Sequence, residues 1–212
     1  MTGRACFDLA PMPKFVPLPR RFYQPPADVV APRLLGHWLV RNTPEGPAGG
    51  PIVEVEAYLH DDPACHAYPG PTKRNQVMFG PPGHSYVYMI YGMHFCVNAV
   101  CHTKGVGEAV LIRAIASEFG EEWMGERRPV KSRHELTNGP AKLCAALDIT
   151  RRLDGADLCD AASPLFIARN PAAARFLRVH GPVKVGTRIG ITHAAHLPLR
   201  FHLGGSEFVS RR

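Results

Sequence analysis

Apolar and polar side chains alternate along several short stretches of this chain, a pattern typical of β-strands with one buried face. The clearest stretch is 52–59, in which Glu54, Glu56 and Tyr58 share one face and small apolar side chains share the other. Apolar stretches bounded by turn residues predict further strands at 37–41, 85–90, 93–100, 108–115, 165–169, 185–192 and 199–203. The pattern therefore predicts strands throughout the chain.

The connections between these strands are also visible in the sequence. The tyrosine-rich stretch 84–100 is interrupted at Tyr91-Gly92, which predicts a hairpin whose tight turn uses the permissive backbone of Gly92. The Pro- and Gly-rich stretch 43–51 predicts a second turn. Helices are predicted at 22–36, 116–128 and 140–148. Residues 60–82 form a long predicted loop, and loops of this length are usually functional or disordered.

Length and composition indicate one domain, because 212 residues can enclose a single substantial core. Residues 1–20 are proline-rich and weakly periodic, so we predict a flexible N-terminal tail there and a single domain over 21–212. The tail lacks the apolar segment of a signal peptide, and no run of 18 apolar residues occurs. An intracellular protein without a membrane span is therefore expected.

The net charge of +7 and the pI near 9.3 favour polyanionic partners such as nucleic acid. A protein that is merely basic would have the same composition, so charge alone does not decide. The six cysteines include no pair with Cys-x-x-Cys spacing and match no strong zinc pattern. Reduced thiols, with no metal and no cofactor, are the expectation.

A carboxylate and an arginine are the candidate catalytic groups. Cleavage of a purine from deoxyribose creates an oxocarbenium-like centre, and a carboxylate such as Glu56 could activate the attacking water. Glu54 lies on the same strand face, and composition does not choose between them. Arg113, unusual within an apolar strand, could hold the carboxylate ionised. The ordinary alternatives are an exposed strand glutamate and a structural ion pair.

Aromatic residues around these groups could hold a base. Tyr58, His66 and Tyr88 could enclose an extruded base, whereas Tyr86 is expected to be a core residue. Tyr91 lies at the predicted hairpin tip, from which a ring can enter a base step and fill the gap left by a flipped nucleotide. The alternatives are cross-strand core pairs and a ring folded back on its own hairpin.

Other residues are candidates for contacts with DNA. Asn98, within an apolar strand, could read a base edge or bond to backbone. The candidates for contacts with the DNA backbone are Lys73, Arg74, Met93, His94 and Lys142. The order Asn138-Gly139-Pro140 before Lys142 could form a phosphate cradle at a helix N-terminus, although an ordinary capped helix explains it equally.

Longer motifs connect these residues to a known family. They run in order along most of the chain and include Ile52-Val53-Glu54-Val55-Glu56-Ala57-Tyr58, Ala64-Cys65-His66, Arg74-Asn75, Tyr86-Val87-Tyr88-Met89-Ile90-Tyr91-Gly92-Met93, Phe95-Cys96-Val97-Asn98, Leu111-Ile112-Arg113-Ala114, Gly139-Pro140-Ala141-Lys142 and Arg188-Ile189-Gly190-Ile191. The chain resembles the alkyladenine DNA glycosylases, also called methylpurine or 3-methyladenine DNA glycosylases.

The resemblance implies a fold and a reaction. The expected fold is a single mixed α/β (α+β) domain around a curved antiparallel sheet, with a protruding β-hairpin and flanking helices. The expected function is that of a monofunctional DNA glycosylase of base excision repair, which flips alkylated or deaminated purines from duplex DNA and leaves an abasic site. No metal and no cofactor are implied. The implied partner is damaged double-stranded DNA, contacted in the minor groove by a monomer in the nucleoid, cytoplasm or nucleus.

The resemblance also implies a role for each matching residue. Glu56 should activate the water, which Arg113 and the backbone carbonyl of Ile189 should help to hold. Tyr58, His66 and Tyr88 should enclose the flipped base. In addition, Asn98 should exclude a guanine amino group and Tyr91 should intercalate. His94 departs from the family pattern, in which an aromatic residue is common. The preferred damaged base is not evident from the sequence.

Two other functions fit parts of the same pattern. A non-catalytic protein could use the basic, tyrosine-tipped surface to bind bent or damaged DNA, and it would not need Glu56. A zinc-dependent nucleobase deaminase would require a His-x-Glu motif and paired cysteines, which this sequence lacks.

Overall fold

The computed structural model describes residues 14–210, which form four α-helices and eight strands. The helices are α1 (Ala27–Leu34), α2 (Glu121–Arg127), α3 (Pro140–Ala146) and α4 (Ala173–His180). The strands are β1 (Trp38–Thr43), β2 (Gly46–Tyr58), β3 (Ser85–Ile90), β4 (His94–Cys101), β5 (Glu108–Ile115), β6 (Leu165–Ala168), β7 (Val183–Gly186) and β8 (Arg200–Leu203). Short 3₁₀ turns lie at 20–23, 76–79, 133–136 and 151–153.

All eight strands belong to one curled antiparallel sheet that forms a half-barrel. The main order is β3-β4-β5-β2-β1-β6, and β8 pairs with both β2 and β7. The long strand β2 pairs with β1 through its first half and with β5 and β8 through its second half. The predicted fold class, a mixed α/β domain around a curved antiparallel sheet with a protruding hairpin, is confirmed.

The central pair β2–β5 is irregular at the position of the candidate carboxylates. The pairing shifts between Ile52 and Glu54 and again between Glu54 and Val55, so that Arg113 has no direct partner on β2. Bulges of this kind bend a sheet and redirect side chains, and they are common beside active sites. Here the irregularity coincides with the point where Glu54 and Glu56 both contact Arg113.

Helices α1 and α3 cover the apolar face of the sheet. α1 packs against β2 and β5 and buries Val30 and Leu34, whose four-residue spacing puts them on one helix face. α3 packs against β4 and β5 and buries Leu143, and Leu147 is buried directly after the helix ends. Full burial of such a side chain contributes roughly 1.5–3 kcal/mol, so these helices hold β2, β4 and β5 in place.

The predicted turn over 43–51 is wrong beyond its first residues, because β2 already begins at Gly46. A Cβ atom on Gly49 would lie 2.0 Å from the Leu39 carbonyl oxygen, and one on Gly50 would lie 1.8 Å from that of Ala116. The glycines therefore permit close backbone packing of the central strand. The sequence indicated a turn only because glycine also favours turns.

The remaining boundaries differ by a few residues. The helix predicted at 22–36 is divided by Pro25-Pro26 into a 3₁₀ turn and α1. The helix predicted at 116–128 starts only after Gly120, which has a φ of 67°. The strand predicted at 185–192 is β7 at 183–186 followed by a loop. Helix α4 was not predicted. It has only eight residues, and none of them is fully buried.

Of the predicted tail, residues 1–13 lie outside the described residues. The part from residue 14 packs on the domain, since Leu18 is buried and its amide donates to the Ile167 carbonyl at 2.8 Å. The ring of Phe15 lies against that of Trp38, with centroids 5.5 Å apart. Packing therefore begins before residue 20. No helix within residues 14–210 has the length and apolar character needed to cross a membrane.

Candidate active site

A cavity of about 500 Å³ opens on the sheet between the β3–β4 hairpin, the loop 59–75 and the loop 187–199. Ligand pockets typically measure roughly 300–1,000 Å³, so the space suits a purine base. The predicted site residues that line it are Tyr58, His66, Arg74, Tyr88, Tyr91, Asn98, Arg113 and Ile189. The structure thus gathers residues that are separated by more than a hundred positions in the sequence.

Glu56 lies at the wall of this cavity and is fully buried. Its Oε1 accepts hydrogen bonds from the Ile189 amide at 2.8 Å and contacts Arg113 Nη1 at 3.1 Å, and its Oε2 accepts from the Tyr58 hydroxyl at 2.9 Å. Glu56 does not itself line the cavity, but all three of its partners do. A carboxylate has about four acceptor positions, so these three donors leave room for one more donor, such as a water molecule.

Glu54 lies in a different environment although it is equally buried. It accepts from Arg113 Nε at 2.9 Å, Arg200 Nε at 2.7 Å and both the amide and the hydroxyl of Ser210 at 2.7 and 2.9 Å. Burial alone would raise the pKa of Glu54, but Arg113, the Ser210 amide and Arg200 outweigh it and lower this pKa. With four donors Glu54 is saturated, and it does not line the cavity. Its surroundings are those of a structural anion.

Arg113 joins the two carboxylates. Its side chain is 6% exposed and contacts Glu54 through Nε and Glu56 through Nη1. Burial opposes its positive charge, but the carboxylates of Glu56 and Glu54 raise the pKa of Arg113 above the usual value. The cation is therefore held in place between the saturated Glu54 and Glu56, whose other two donors, Ile189 and Tyr58, line the cavity.

Aromatic rings form one side of the cavity. The rings of His66 and Tyr88 have centroids 4.4 Å apart, and those of Tyr86 and Tyr88 lie 5.4 Å apart. His66 Nδ1 is 3.0 Å from the Tyr86 hydroxyl. Desolvation and the nearby Arg74 lower the pKa of His66, which favours its neutral imidazole. The cavity therefore presents flat, uncharged surfaces of the kind on which a base can stack.

Tyr86 is buried, as expected for a core residue, but it also lines the cavity and contacts His66. Burial raises the pKa of Tyr86 to about 12, so the hydroxyl remains protonated. Its position two residues before Tyr88 on β3 is the sequence signal that could have revealed this, because alternate strand residues share a face.

Two asparagines fix the walls of the cavity. Asn98 donates from Nδ2 to the Tyr86 carbonyl at 3.0 Å and is 4% exposed. Asn75, which was not predicted as a site residue, donates to the carbonyls of His66 at 2.7 Å and Gly70 at 3.0 Å. It thereby closes the loop that carries His66. The bond from Asn98 to the Tyr86 carbonyl matches one of its two predicted roles, a hydrogen bond to the protein backbone. The residue also lines the cavity.

The hairpin tip projects from the protein and carries apolar side chains. Tyr91 is 82% exposed, has a φ of 54°, and is followed by Gly92 with a φ of 73°. Met89 and Met93 flank it and are also exposed. The ring of Tyr91 therefore does not fold back into a core, and a cluster of exposed apolar groups of this kind marks an interaction site.

Of the residues predicted to contact the DNA backbone, Arg74 lines the cavity. Lys73 and His94 are exposed, and Arg74 donates from Nη2 to the Met89 carbonyl at 3.3 Å. Lys142 instead donates to Asn138 Oδ1 at 2.8 Å at the start of α3. Arg151, which was not predicted, binds the Val87 carbonyl at 2.8 Å on the hairpin. The basic dipeptide Arg151-Arg152 is the feature of the sequence that could have indicated this contact.

Ile189 contacts Glu56 directly through its backbone. Its amide nitrogen donates to Glu56 Oε1 at 2.8 Å, a contact that the sequence did not indicate. The role that the family resemblance implies for its backbone carbonyl, holding the water, stays a prediction. Among residues 14–210, no group of three or more His, Cys, Asp or Glu side chains is arranged to hold a metal ion. The cysteines of that range are free thiols, and burial raises the pKa of Cys96 at the cavity wall.

Sequence comparisons identify the relatives of this chain. The profile of the family described as methylpurine-DNA glycosylase matches residues 21–207. A protein from Methanoculleus marisnigri is 52% identical over 195 residues, covering 92% of this chain and 99% of its own. Relatives from Carboxydothermus hydrogenoformans and Rhodopseudomonas palustris are 46% and 49% identical, with 92% of this chain and 99% and 90% of theirs covered. All three are provisionally named 3-methyladenine DNA glycosylases.

Proposed function

Because the chain belongs to the methylpurine-DNA glycosylase family, we propose that it hydrolyses the N-glycosidic bond of alkylated or deaminated purines in DNA. The observation that carries the proposal is the buried Glu56 carboxylate, held by three donors at the wall of an aromatic cavity of about 500 Å³. Beside that cavity stands an exposed tyrosine. This combination suits removal of a base that has left the helix.

The chemical step uses Glu56 as a general base. A water molecule at the remaining acceptor position of the carboxylate loses a proton to Glu56 while its oxygen attacks C1′ of the deoxyribose. The C1′–N bond breaks and its electrons leave with the base, which departs most readily when it is cationic or protonated. Arg113, held by Glu54, places its positive charge 3.1 Å from Glu56 Oε1 and helps to hold the water. The product is an abasic site with an intact strand.

The aromatic wall accounts for recognition of the base. Tyr58, His66 and Tyr88 enclose the flipped purine, and stacking on such rings contributes roughly 1–3 kcal/mol per base. The neutral His66 can donate or accept one hydrogen bond at the base edge. Asn98, with its amide fixed by the Tyr86 carbonyl, restricts which purines fit.

The hairpin tip accounts for capture of the nucleotide. Tyr91 enters the duplex from the minor groove and occupies the space left by the flipped base. The exposed residues Lys73, Arg74, Met93 and His94 are the proposed contacts to the flanking DNA backbone. Lys142 is a further proposed contact, two residues after Pro140, which lines the cavity. A monomer suffices, since every group used belongs to one chain.

The test is single-turnover excision from duplexes that contain one hypoxanthine or one ethenoadenine. Wild type should produce abasic sites that break only after alkali, whereas Glu56→Gln should excise nothing and still bind the duplex. Glu122→Gln is the matched control, because Glu122 is an exposed glutamate on α2. Binding without excision by wild type and both variants would instead favour a DNA-binding protein.

A further inference from the structure

A second buried ion pair lies behind the cavity, separate from the Glu54–Arg113–Glu56 cluster. The guanidinium of Arg188 contacts both carboxylate oxygens of Asp62, with Nη2 to Oδ1 at 3.1 Å and Nη1 to Oδ2 in closer contact. The side chains are 0% and 1% exposed. Both residues lie outside the predicted catalytic set.

The pair joins three separate walls of the cavity. Arg188 Nη1 also donates to the Ala57 carbonyl on β2 at 3.1 Å, and its guanidinium lies 4.7 Å from the centre of the Tyr58 ring. Asp62 Oδ1 accepts from the Ala64 amide at 2.9 Å, and Ala64 lines the cavity in the loop that carries His66. Strand β2, the loop 59–75 and the loop 187–199 therefore meet at this one pair.

The position of Arg188 in its loop gives the pair a link to the chemistry. The next residue is Ile189, whose amide donates to Glu56 Oε1 at 2.8 Å. The Arg188 guanidinium is fixed by Asp62 and by β2, so the following peptide unit is fixed relative to the same strand that carries Glu56. A displacement of Arg188 would move the Ile189 amide away from the carboxylate.

Stability alone is a weak explanation for this arrangement. A buried ion pair loses so much hydration that apolar residues of similar volume are often as stable. In addition, Arg188 Nε has no hydrogen-bond partner among the described residues. The pair therefore leaves one donor unsatisfied in the interior, and this suggests that orientation rather than stability is its main contribution.

We infer that Asp62 and Arg188 are positioning residues that hold the Ile189 amide against Glu56 and the Tyr58 ring at the cavity wall. The inference rests on the proposed function for its link to catalysis. The positioning itself is a property of the free protein and can be measured without substrate.

The variant for the test is Asp62→Asn, which preserves side-chain shape but presents an amide group to the guanidinium in place of one acceptor oxygen. The control variant is Asp157→Asn, in a similar but more exposed ion pair. Asp157 also pairs with an arginine, Arg20, at 2.6 Å and also accepts from the amide two residues ahead, but it lies outside the cavity. Arg188→Lys is the second variant, because it keeps the charge and loses the paired contact.

The first measurement is hydrogen exchange of the Ile189 amide in the free protein by NMR. Asp62→Asn and Arg188→Lys should each speed exchange at Ile189 on the order of tenfold while core amides of β2 and β5 keep their protection. Unchanged exchange at Ile189 would overturn the inference. Uniform loss of protection across the sheet would also overturn it, since the pair would then hold the fold and not the site.

The second measurement separates binding from chemistry on a hypoxanthine duplex. For Asp62→Asn, the single-turnover rate at saturating enzyme should fall by about 100-fold, the loss that follows a displacement near 1 Å in an active site. The dissociation constant for the duplex should stay within about twofold of that of Asp157→Asn. Equal single-turnover rates for Asp62→Asn and Asp157→Asn would contradict the inference. An inactive wild type with a protected Ile189 amide would instead refute only the proposed function.

Discussion

The Glu54–Arg113–Glu56 cluster and the hairpin tip both depart from the usual rule that charged residues are exposed and apolar residues are buried. The cluster buries charged residues, whereas the tip exposes apolar ones. The cluster places three charged side chains in the interior, where each is at most 6% exposed. The tip places Tyr91 in solvent at 82% exposure, with Met93 at 70%. Buried charges are tolerated when they are paired, and the cluster satisfies that condition. The tip has no such compensation within the described residues.

This difference separates two kinds of evidence about function. The cluster can contribute to both folding and catalysis, because its partners hold β2, β5 and the C-terminal segment together. The tip contributes little to folding, so its apolar character indicates a partner. Variants in the cluster should therefore affect stability and chemistry together, whereas variants at the tip should affect recognition alone.

The largest effect is expected from Arg113→Met. Loss of this cation leaves Glu56 and Glu54 buried beside each other with fewer partners, and breaking a buried pair in this way costs about 3–5 kcal/mol. Urea unfolding should show this decrease in the free energy of unfolding. Arg175→Met on the exposed face of α4 is the control and should change it little. A loss below about 1 kcal/mol for Arg113→Met would contradict the account of the cluster.

The next effect concerns Tyr91→Ala, which should leave the free energy of unfolding within about 0.5 kcal/mol of wild type. Affinity for a damaged duplex should fall by the contribution of one stacked ring, roughly 1–3 kcal/mol. Fluorescence anisotropy with a duplex containing ethenoadenine measures this. Unchanged affinity, or clear destabilisation, would show that the ring has a structural role.

A smaller effect concerns pH and Glu54. Its folded-state pKa is lowered because Arg113, the Ser210 amide and Arg200 outweigh burial. A lowered pKa stabilises the fold fully above the unfolded value of about 4.3 and stabilises it less as the pH falls through the folded value. The stability difference between wild type and Glu54→Gln should therefore be constant near neutrality and shrink below about pH 4.3. A difference that grows on acidification would contradict this assignment.

The smallest effect is expected from Arg74→Gln at the cavity mouth. If this arginine contacts a phosphate, the slope of log affinity against log salt should decrease by about 0.9. Arg175→Gln, at an exposed arginine on α4 that does not line the cavity, should leave the slope unchanged. An unchanged slope for Arg74→Gln would remove it from the predicted backbone contacts.

Strand alternation predicted much of the sheet and placed Glu54, Glu56 and Tyr58 on one face. It did not distinguish the two glutamates, because both are buried on the same strand. Their difference arises from Ile189, Arg200 and Ser210, which lie more than 130 positions away. Contacts of that range leave no periodic signal in a sequence.

Two parts of the fold escaped prediction for related reasons. Gly49 and Gly50 permit close strand packing, but glycine in a single sequence indicates a turn equally well. Helix α4 lies on the surface with Ala173 and Leu177 against Gly36, so only a narrow apolar stripe marks it. The family resemblance supplied the candidate site, and the contacts of Asp62 and Arg188 became visible only in three dimensions.

The most direct test compares Glu56→Gln with Tyr91→Ala on hypoxanthine in duplex and in single-stranded DNA, under single-turnover conditions with saturating enzyme. Glu56→Gln should lose excision from both substrates, because the variant removes the proposed general base. Tyr91→Ala should lose excision mainly from the duplex, because an unpaired base needs no wedge. Equal losses on both substrates for Tyr91→Ala, or near-normal excision by Glu56→Gln, would contradict the division between a chemical cluster and a recognition tip.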